Sequence, residues 1–362
     1  MVGKNENLRG CLLGLAVGDA MGYAIDKLSW AEICENYGPN GLLGYDLANG
    51  SADVTSYTQL AAFVCNGILL ADTRRNTALY GRFIARAILE WAKSQQVRTV
   101  PDRSVCWVAQ IPALRRRHCM DTRMLDALSR PVLGTPEKPV FVSDTPCALT
   151  SAVAIGLSFD PDKMEVLQIG RLAAEAAALT HGDPVSMVSA AYLAYAVAGI
   201  LQSPAKPLSH HFSGACDAIA HQFGQQFPLA AEHVCKKINY VLSLTKDPEM
   251  TPFAVMTLLE CTTADQCLAA AVYAATVHSG NFDEAMISSV NHSGRSSAVG
   301  AITGAILGAR LGAEALPEFY LESLEPIDTL QELAGDLSSG RQLGRIFDDS
   351  WEQKYGQGIP AN

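Results

Sequence analysis

Apolar side chains recur every three or four positions through most of this chain, the spacing that places them on one face of an α-helix. The pattern predicts helices over residues 8–22, 57–71, 77–93, 163–180, 185–202, 229–245, 264–278, 282–290 and 297–313. The clearest is 77–93, which Asn76 or Thr77 can cap. Its apolar face is formed by Leu79, Phe83, Ile84, Ala87, Ile88 and Trp91. The alternation of a strand is nearly absent, and residues 138–143 are the best short strand candidate.

Short breaks, not long linkers, separate these predicted helices. Glycine and proline concentrate at residues 38–41, 134–136 and 204–207, where they favour turns. The chain has no low-complexity segment and no repeat with a period of about 20–50 residues. We therefore expect an all-α fold that forms one domain over residues 1–362, with its core at about 8–320.

Two of the predicted helices carry glycine at every fourth position. The two sets are Gly10, Gly14, Gly18 and Gly22, and Gly300, Gly304, Gly308 and Gly312. Glycine inside a helix costs about 1 kcal/mol relative to alanine, so eight such positions need an offsetting gain. Close backbone approach supplies one, either to another helix or to a ligand. We expect both helices, 8–22 and 297–313, to pack against each other at the centre of the fold.

Composition and charge exclude some function classes. The chain of 362 residues is 49% hydrophobic and 18% charged, as globular proteins are. Its formal net charge is -10, so it lacks the basic surface of a general nucleic-acid binder. The basic run at residues 115–118 is the local exception, and we expect it to be a solvated helix end or loop.

Ten cysteines are scattered without a CxxC pair or the spacing of a zinc site. A reduced cytoplasmic protein is the simplest interpretation. The polar start of the chain does not resemble a signal peptide. No stretch reaches the roughly 18 uninterrupted apolar residues that cross a bilayer, so we expect no membrane partner.

Three segments, in order along the chain, resemble motifs of the ADP-ribosylglycohydrolase family. Residues 10–22 (GCLLGLAVGDAMG) resemble its opening helix, and residues 179–184 (LTHGDP) resemble a central motif. Residues 290–312 (VNHSGRSSAVGAITGAILGARLG) resemble its C-terminal motif, which Pro317 follows. The resemblance implies an orthogonal all-α bundle with an active-site cleft, a pair of magnesium ions, and hydrolysis of an ADP-ribosyl bond.

Magnesium requires oxygen ligands, carboxylates above all, and two adjacent ions need several acids against their mutual repulsion. The family supplies a Thr-Asp-Asp-Thr run and a Gly-Gly-Asp-Thr-Asp-Thr run. Here the first run aligns with Thr55, Ser56, Tyr57 and Thr58, and the second with Ser293, Gly294, Arg295, Ser296, Ser297 and Ala298. Ser56, Tyr57, Arg295, Ser297 and Ala298 thus replace family ligands. We therefore expect no magnesium cofactor and no other metal.

The remaining candidates come from the same resemblance. Asp26 matches an acid that follows the first helix of the family, and is the candidate catalytic residue. The candidate cleft residues are Asp19, Thr55, Ser56, Tyr57, Thr58, His181, Gly294, Arg295, Ser296 and Ser297. We expect Asp19 to order nearby backbone, His181 to be a hydrogen-bonded structural histidine, and Asp183 to cap a helix that begins at Pro184. A Gly-Asn-Gly phosphate cradle of the family is eroded at residues 145–151.

The most specific prediction concerns the position and the partner of Arg295. We predict that its guanidinium fills the space that a family member gives to metal, paired with Asp26 or Asp53, because an unpaired buried charge costs too much. The alternative is that Arg295 points to solvent at a helix start.

These losses favour a pseudoenzyme with a binding or regulatory role, whose ligand is an ADP-ribose-like molecule or a protein partner. One alternative is an active ADP-ribosyl hydrolase with an altered, metal-independent site that uses acid–base groups among Asp26, Asp53, Asp144 and His181. Another is a hydrolase of a different substrate class. The oligomeric state stays open.

Overall fold

A computed structural model describes residues 2–47, 50–74, 76–96, 104–159, 161, 164–340 and 349–356. Within these ranges every regular element is helical. The α-helices are α1 (Val2–Tyr23), α2 (Trp30–Tyr37), α3 (Ser56–Thr73), α4 (Tyr80–Gln96), α5 (Pro112–Arg115), α6 (Arg123–Leu128), α7 (Ala152–Leu157), α8 (Val166–Ala178), α9 (Pro184–Gln202), α10 (Leu208–Phe223), α11 (Pro228–Leu244), α12 (Pro252–Leu259), α13 (Ala264–Val277), α14 (Phe282–Val290), α15 (Ser296–Leu311), α16 (Glu318–Glu322), α17 (Ile327–Gly340) and α18 (Asp349–Trp351).

All nine predicted helices form, and most of their bounds agree with the prediction to within three residues. The helix predicted from residue 8 begins at Val2, and the one predicted over 77–93 opens with a 3-10 turn at Thr77–Leu79 before α4. The first residue of the prediction over 163–180 lies outside the described residues. Asn76 accepts a hydrogen bond from the Ala78 N–H at 3.1 Å, as a cap does.

The strand predicted over residues 138–143 is wrong. The segment is irregular, and its only ladder contact is an isolated bridge between Lys138 and Thr135. Pro139 lies inside the segment and Pro136 just before it, and each removes a backbone donor, which disfavours regular strand pairing here.

Helices α1 and α15 lie side by side at the centre, as the glycine spacing predicts. A Cβ added to Gly14 would overlap the Gly304 carbonyl, and one added to Gly304 would overlap the Gly14 carbonyl. Gly18 and Gly300 form a second reciprocal pair of the same kind. The glycines therefore allow the two backbones to touch where any side chain would separate them.

Helix α9 forms a second buried axis. Asp183 caps it by accepting hydrogen bonds from the Ser186 N–H (2.8 Å) and hydroxyl (2.9 Å), and Pro184 occupies the first turn, which confirms both expectations. Among the described residues α9 is the one helix long and apolar enough to cross a membrane. Its apolar window is 83% buried inside the protein, as in the core helix of a globular fold.

Gly304→Ala should lower the free energy of unfolding by roughly 1–3 kcal/mol or more, because the new Cβ meets backbone that no rotamer change can move. Gly214→Ala is the matched control, since Gly214 lies in α10 with nothing within 4 Å of the added atom. It should raise stability by up to about 1 kcal/mol. Urea denaturation measures both changes, and a Gly304→Ala variant as stable as the wild type would contradict the packing described here.

Candidate functional site

The end of α1 organises the start of α3 through Asp19. This fully buried carboxylate accepts hydrogen bonds from the Thr55 N–H (2.8 Å) and hydroxyl (2.6 Å), and from the Thr58 N–H (3.1 Å) and hydroxyl (2.6 Å). Burial raises the pKa of Asp19 to about 6, although these four bonds favour the charged form. Asp19 therefore orders backbone, as expected, and its oxygens are committed to that role.

A second carboxylate, Asp26, lies just after α1 and joins it to the start of α15. It accepts hydrogen bonds from the Arg295 Nε (3.3 Å) and from the Ser297 N–H (3.1 Å). The side chains of Arg295 and Asp26 are 11% and 4% exposed, so the pair is buried. The predicted pairing of Arg295 with Asp26 is confirmed, and the alternative in which Arg295 points to solvent is wrong.

Asp53, the other predicted partner of Arg295, is paired with a different arginine. It forms an ion pair with Arg116, which also contacts Glu325 at 2.7 Å. Arg116 belongs to the basic run at 115–118, which forms the end of α5 and the loop after it, as expected. Sequence reasoning missed the packing role of this loop, whose His118 carbonyl accepts the Ser56 N–H at 3.1 Å.

Arg295 is held by more than its ion pair. Its backbone N–H donates to the Cys261 carbonyl at 2.8 Å, and its guanidinium donates to the Met120 carbonyl at 3.4 Å. Burial opposes the charge of Arg295, but nearby Tyr57 and Asp26 raise the pKa of the guanidinium above its ordinary value. Arg295 therefore places a fixed positive charge at this point.

The other residues at the aligned metal positions are neutral. Ser56 accepts the Met120 N–H at 3.2 Å, and the Tyr57 hydroxyl accepts a hydrogen bond from the Cys147 thiol at 3.7 Å. The Ser297 hydroxyl is buried and, among the described residues, has no hydrogen-bond partner. Ala298 offers no side-chain oxygen.

The two remaining candidates flank Arg295. Ser296 donates to the Val290 carbonyl at 2.7 Å. The carbonyl of Gly294 accepts the Lys27 N–H at 3.0 Å, and an added Cβ on Gly294 would meet the Cys261 carbonyl at 2.6 Å. Both residues are therefore engaged in shaping the turn before α15.

A pair of magnesium ions does not fit these residues. The two carboxylates that accept hydrogen bonds from the aligned residues, Asp19 and Asp26, are occupied by four donors and by a guanidinium with an N–H. In the described ranges no group of three or more His, Cys, Asp or Glu side chains lies at a spacing that could hold a metal. The fixed charge of Arg295 would also repel a dication. The donor set is thus wrong in both number and charge.

His181 lies at the end of a buried chain of hydrogen bonds. Its Nε2 is 2.9 Å from the Thr145 hydroxyl, which donates to Asp121 at 3.0 Å, and its Nδ1 is 2.8 Å from the Thr180 hydroxyl. A carboxylate only accepts, so the single proton of Thr145 goes to Asp121 and Nε2 must carry the imidazole proton. Burial lowers the pKa of His181 to about 4. His181 is therefore neutral near pH 7 and hydrogen bonded at both ring nitrogens, and its structural role stays a prediction.

Asp121 and its neighbour Arg123 were missed by sequence reasoning. Arg123 binds both carboxylate oxygens of Asp121 at 2.9 Å. Burial works against ionisation of Asp121, yet Arg123 and Thr145 lower its pKa below the ordinary value. The short Asp-x-Arg spacing before α6 was the available signal, but it could not indicate contact with Thr145 or His181.

The segment matching the phosphate cradle, residues 145–151, forms a 3-10 turn at Pro146–Leu149. The N–H groups of Ala148 and Thr150 donate within the segment, to Thr145 and Cys147. Pro146 has no N–H. These two N–H groups are therefore not free to bind a phosphate.

A family model described as ADP-ribosylglycohydrolase matches residues 3–346, nearly the whole chain. This chain belongs to the ADP-ribosylglycohydrolase family. Among solved structures, a protein titled "ADP-ribosylglycohydrolase-related protein complex" has a TM-score of 0.59 and 19% identity, covering 94% of this chain and 100% of its own. At that identity the likeness shows the fold alone, and it confirms the expected all-α architecture. A comparison with curated proteins gives no significant match.

Asp26→Asn should destabilise the protein by about 3–5 kcal/mol, because it leaves the Arg295 guanidinium buried without a counter-charge. Glu232→Gln is the matched control. It removes the carboxylate of an exposed ion pair with Lys236 and should leave stability nearly unchanged. Urea denaturation of both variants is the measurement, and equal stability of the two would show that the Asp26–Arg295 pair contributes nothing.

Acidification should destabilise the protein through His181 and His292, whose burial lowers both pKa values to about 4. The unfolded chain binds protons below its ordinary pKa of about 6.5, while the folded state does not until about 4. The free energy of unfolding therefore falls from pH 6.5 towards pH 4, by up to about 3 kcal/mol per histidine. Asp19, with its raised pKa, acts in the opposite direction between about pH 4 and 6, so variants must be compared.

His181→Gln should flatten this fall when the free energy of unfolding is measured by urea denaturation at several pH values. If the variant loses as much stability on acidification as the wild type, His181 is not buried in the neutral form and the hydrogen-bond chain is misassigned.

Proposed function

We propose that this chain is a catalytically impaired member of the ADP-ribosylglycohydrolase family, a pseudoenzyme that binds a ligand or partner instead of hydrolysing it. The observation that carries the proposal is the buried Arg295–Asp26 pair at a position where the family motif has a carboxylate. The ligand would be an ADP-ribose-like molecule or a protein partner, and the location would be the cytoplasm.

Charge is the first support. A guanidinium and one unit of cationic charge about 4 Å apart repel by roughly 4 kcal/mol at an effective dielectric constant of about 20. Two dications near Arg295 would multiply this cost, and the neutral hydroxyls of Ser56 and Ser297 cannot offset it. The same positive charge is suited to an anionic group, because the guanidinium fork matches carboxylate and phosphate.

The condition of the remaining acid–base groups is the second support. Asp26 is bound by Arg295, Asp53 is paired with Arg116, and both ring nitrogens of His181 are hydrogen bonded. A metal-independent hydrolase, the main alternative, needs one of these groups to exchange a proton with substrate. In the folded state described here these three already have partners, whereas Asp144, the fourth candidate, is exposed.

The proposal is tested by placing aspartates at the four positions that align with acidic residues of the family motifs. The wild type should bind no magnesium at micromolar concentration in titration calorimetry, since its donors are neutral or occupied. Magnesium affinity should appear when the four aligned positions are changed together: Ser56→Asp, Tyr57→Asp, Arg295→Asp and Ser297→Asp. A control should stay without affinity while lowering the formal charge by the same five units at exposed sites: Ser213→Asp, Gln225→Asp, Thr257→Asp and Lys236→Asp.

Two results would overturn the proposal. Micromolar magnesium binding by the wild type that Thr55→Ala abolishes would show that a metal site persists. Release of ADP-ribose from a modified arginine, a modified serine or a nucleotide by the wild type, lost in Asp26→Asn, would show an active hydrolase. If the fourfold variant keeps its helical circular dichroism but binds no magnesium, the alignment of these motifs is mistaken.

A further inference from the structure

Two cysteines face each other between consecutive helices, far along the chain from the site above. Cys216 lies on α10 and Cys235 on α11, and the two helices pack against each other. The Cys235 Sγ is 3.6 Å from the Cys216 carbonyl oxygen, and the two thiols are also hydrogen bonded to each other. The two side chains are therefore in contact, which a disulfide requires.

Access separates this pair from two other neighbouring cysteine pairs. A further pair, Cys119 and Cys147, also has one half-buried member, but burial raises the pKa of Cys119 to about 12. Cys11 and Cys65 also lie close together, but both are 0% exposed in the central core. Cys261 and Cys267 are equally buried. Cys235, in contrast, is half-buried, so it is the more accessible member of its pair.

The local electrostatics favour one of the two sulfurs as the nucleophile. The hydrogen bond from the Cys216 thiol lowers the pKa of Cys235, although its burial acts against this. The same bond raises the pKa of Cys216. A thiolate is the reactive form of cysteine, so Cys235 is the residue that attacks an oxidant and Cys216 is the residue placed to resolve it.

We propose that Cys216 and Cys235 are a redox modification site that forms a reversible disulfide with a hydroperoxide as oxidant. The Cys235 thiolate attacks one peroxide oxygen, the O–O bond breaks, and the leaving oxygen takes a proton, which leaves Cys235 as a sulfenic acid. The Cys216 sulfur then attacks the Cys235 sulfur. The S–S bond forms, the S–O bond breaks, and water leaves with the Cys216 proton. Two thiols are oxidised and one peroxide is reduced.

The disulfide would tie together two helices that the turn at residues 224–227 already connects. Both α10 and α11 pack on the buried helix α9. The cross-link would hold the two helices to each other and raise thermal stability by restricting the unfolded chain. It would not touch Asp26, Arg295 or His181. The proposal is therefore independent of the proposed function.

The test is peptide mapping of the full chain after treatment with hydrogen peroxide and alkylation of free thiols. We expect a mass loss of about 2 Da before reduction, a cross-linked peptide joining Cys216 to Cys235, and full reversal by dithiothreitol. The melting temperature of the oxidised protein should exceed that of the reduced protein. No cross-linked peptide under conditions that oxidise Cys34, a half-buried cysteine on α2, would overturn the proposal.

Variants separate the two roles. In Cys216→Ser, Cys235 should accumulate as a sulfenic acid that a 1,3-dicarbonyl reagent traps, while Cys235→Ser should show neither the trapped species nor the cross-link. Cys34→Ser is the matched control and should form the cross-link as the wild type does. Trapping at Cys216 in Cys235→Ser, at the rate seen for Cys235 in Cys216→Ser, would contradict the assignment of the nucleophile. The cross-link in the wild type is read out without relying on either variant to fold.

Discussion

The contact between the backbones of α1 and α15 is the constraint on which the rest of the structure depends. Gly14 and Gly304 lie against each other, as do Gly18 and Gly300, so the two helix axes cannot separate or slide without opening a void or causing a clash. The end of α1 and the start of α15 are thereby fixed in space. Asp19 and Asp26, which lie at that end, reach α3 and α15 with hydrogen bonds of set geometry.

This fixed geometry explains why an arginine can replace a metal-binding acid without loss of order. In a family site, bound ions hold the surrounding acids together. Here the Arg295 guanidinium contacts Asp26 and the Met120 carbonyl, and Asp26 in turn caps the first turn of α15. Protein groups alone therefore satisfy the charges at this point. The proposed loss of catalysis follows from the same arrangement, because the Asp26 carboxylate is bound by Arg295 and is not free to ligate a dication.

Much of the fold was predictable because helices are local. All nine helices predicted from the 3.6-residue period are present in the structure, and Asp183 followed by Pro184 correctly predicted the start of α9. The prediction missed four longer helices, α2, α10, α12 and α17, and it also failed where local signals were short or mixed. Residues 138–143 have β-branched side chains but lie between turns, and the four-to-six-residue helices α5, α6, α7 and α16 have too few turns to show a period.

By itself the sequence determined the family, the central pair of helices and the loss of carboxylates. Each of these can be identified from which residues occur at fixed spacings along the chain. Only the tertiary structure decided that Arg295 binds Asp26 while Asp53 binds Arg116. It also decided that Thr145 links His181 to Asp121, and that Cys216 meets Cys235. Each of these pairs joins residues far apart along the chain. The sequence around a charged residue or a cysteine does not indicate which distant residue it will contact. The partner is chosen by the packing of helices, which only the complete fold defines.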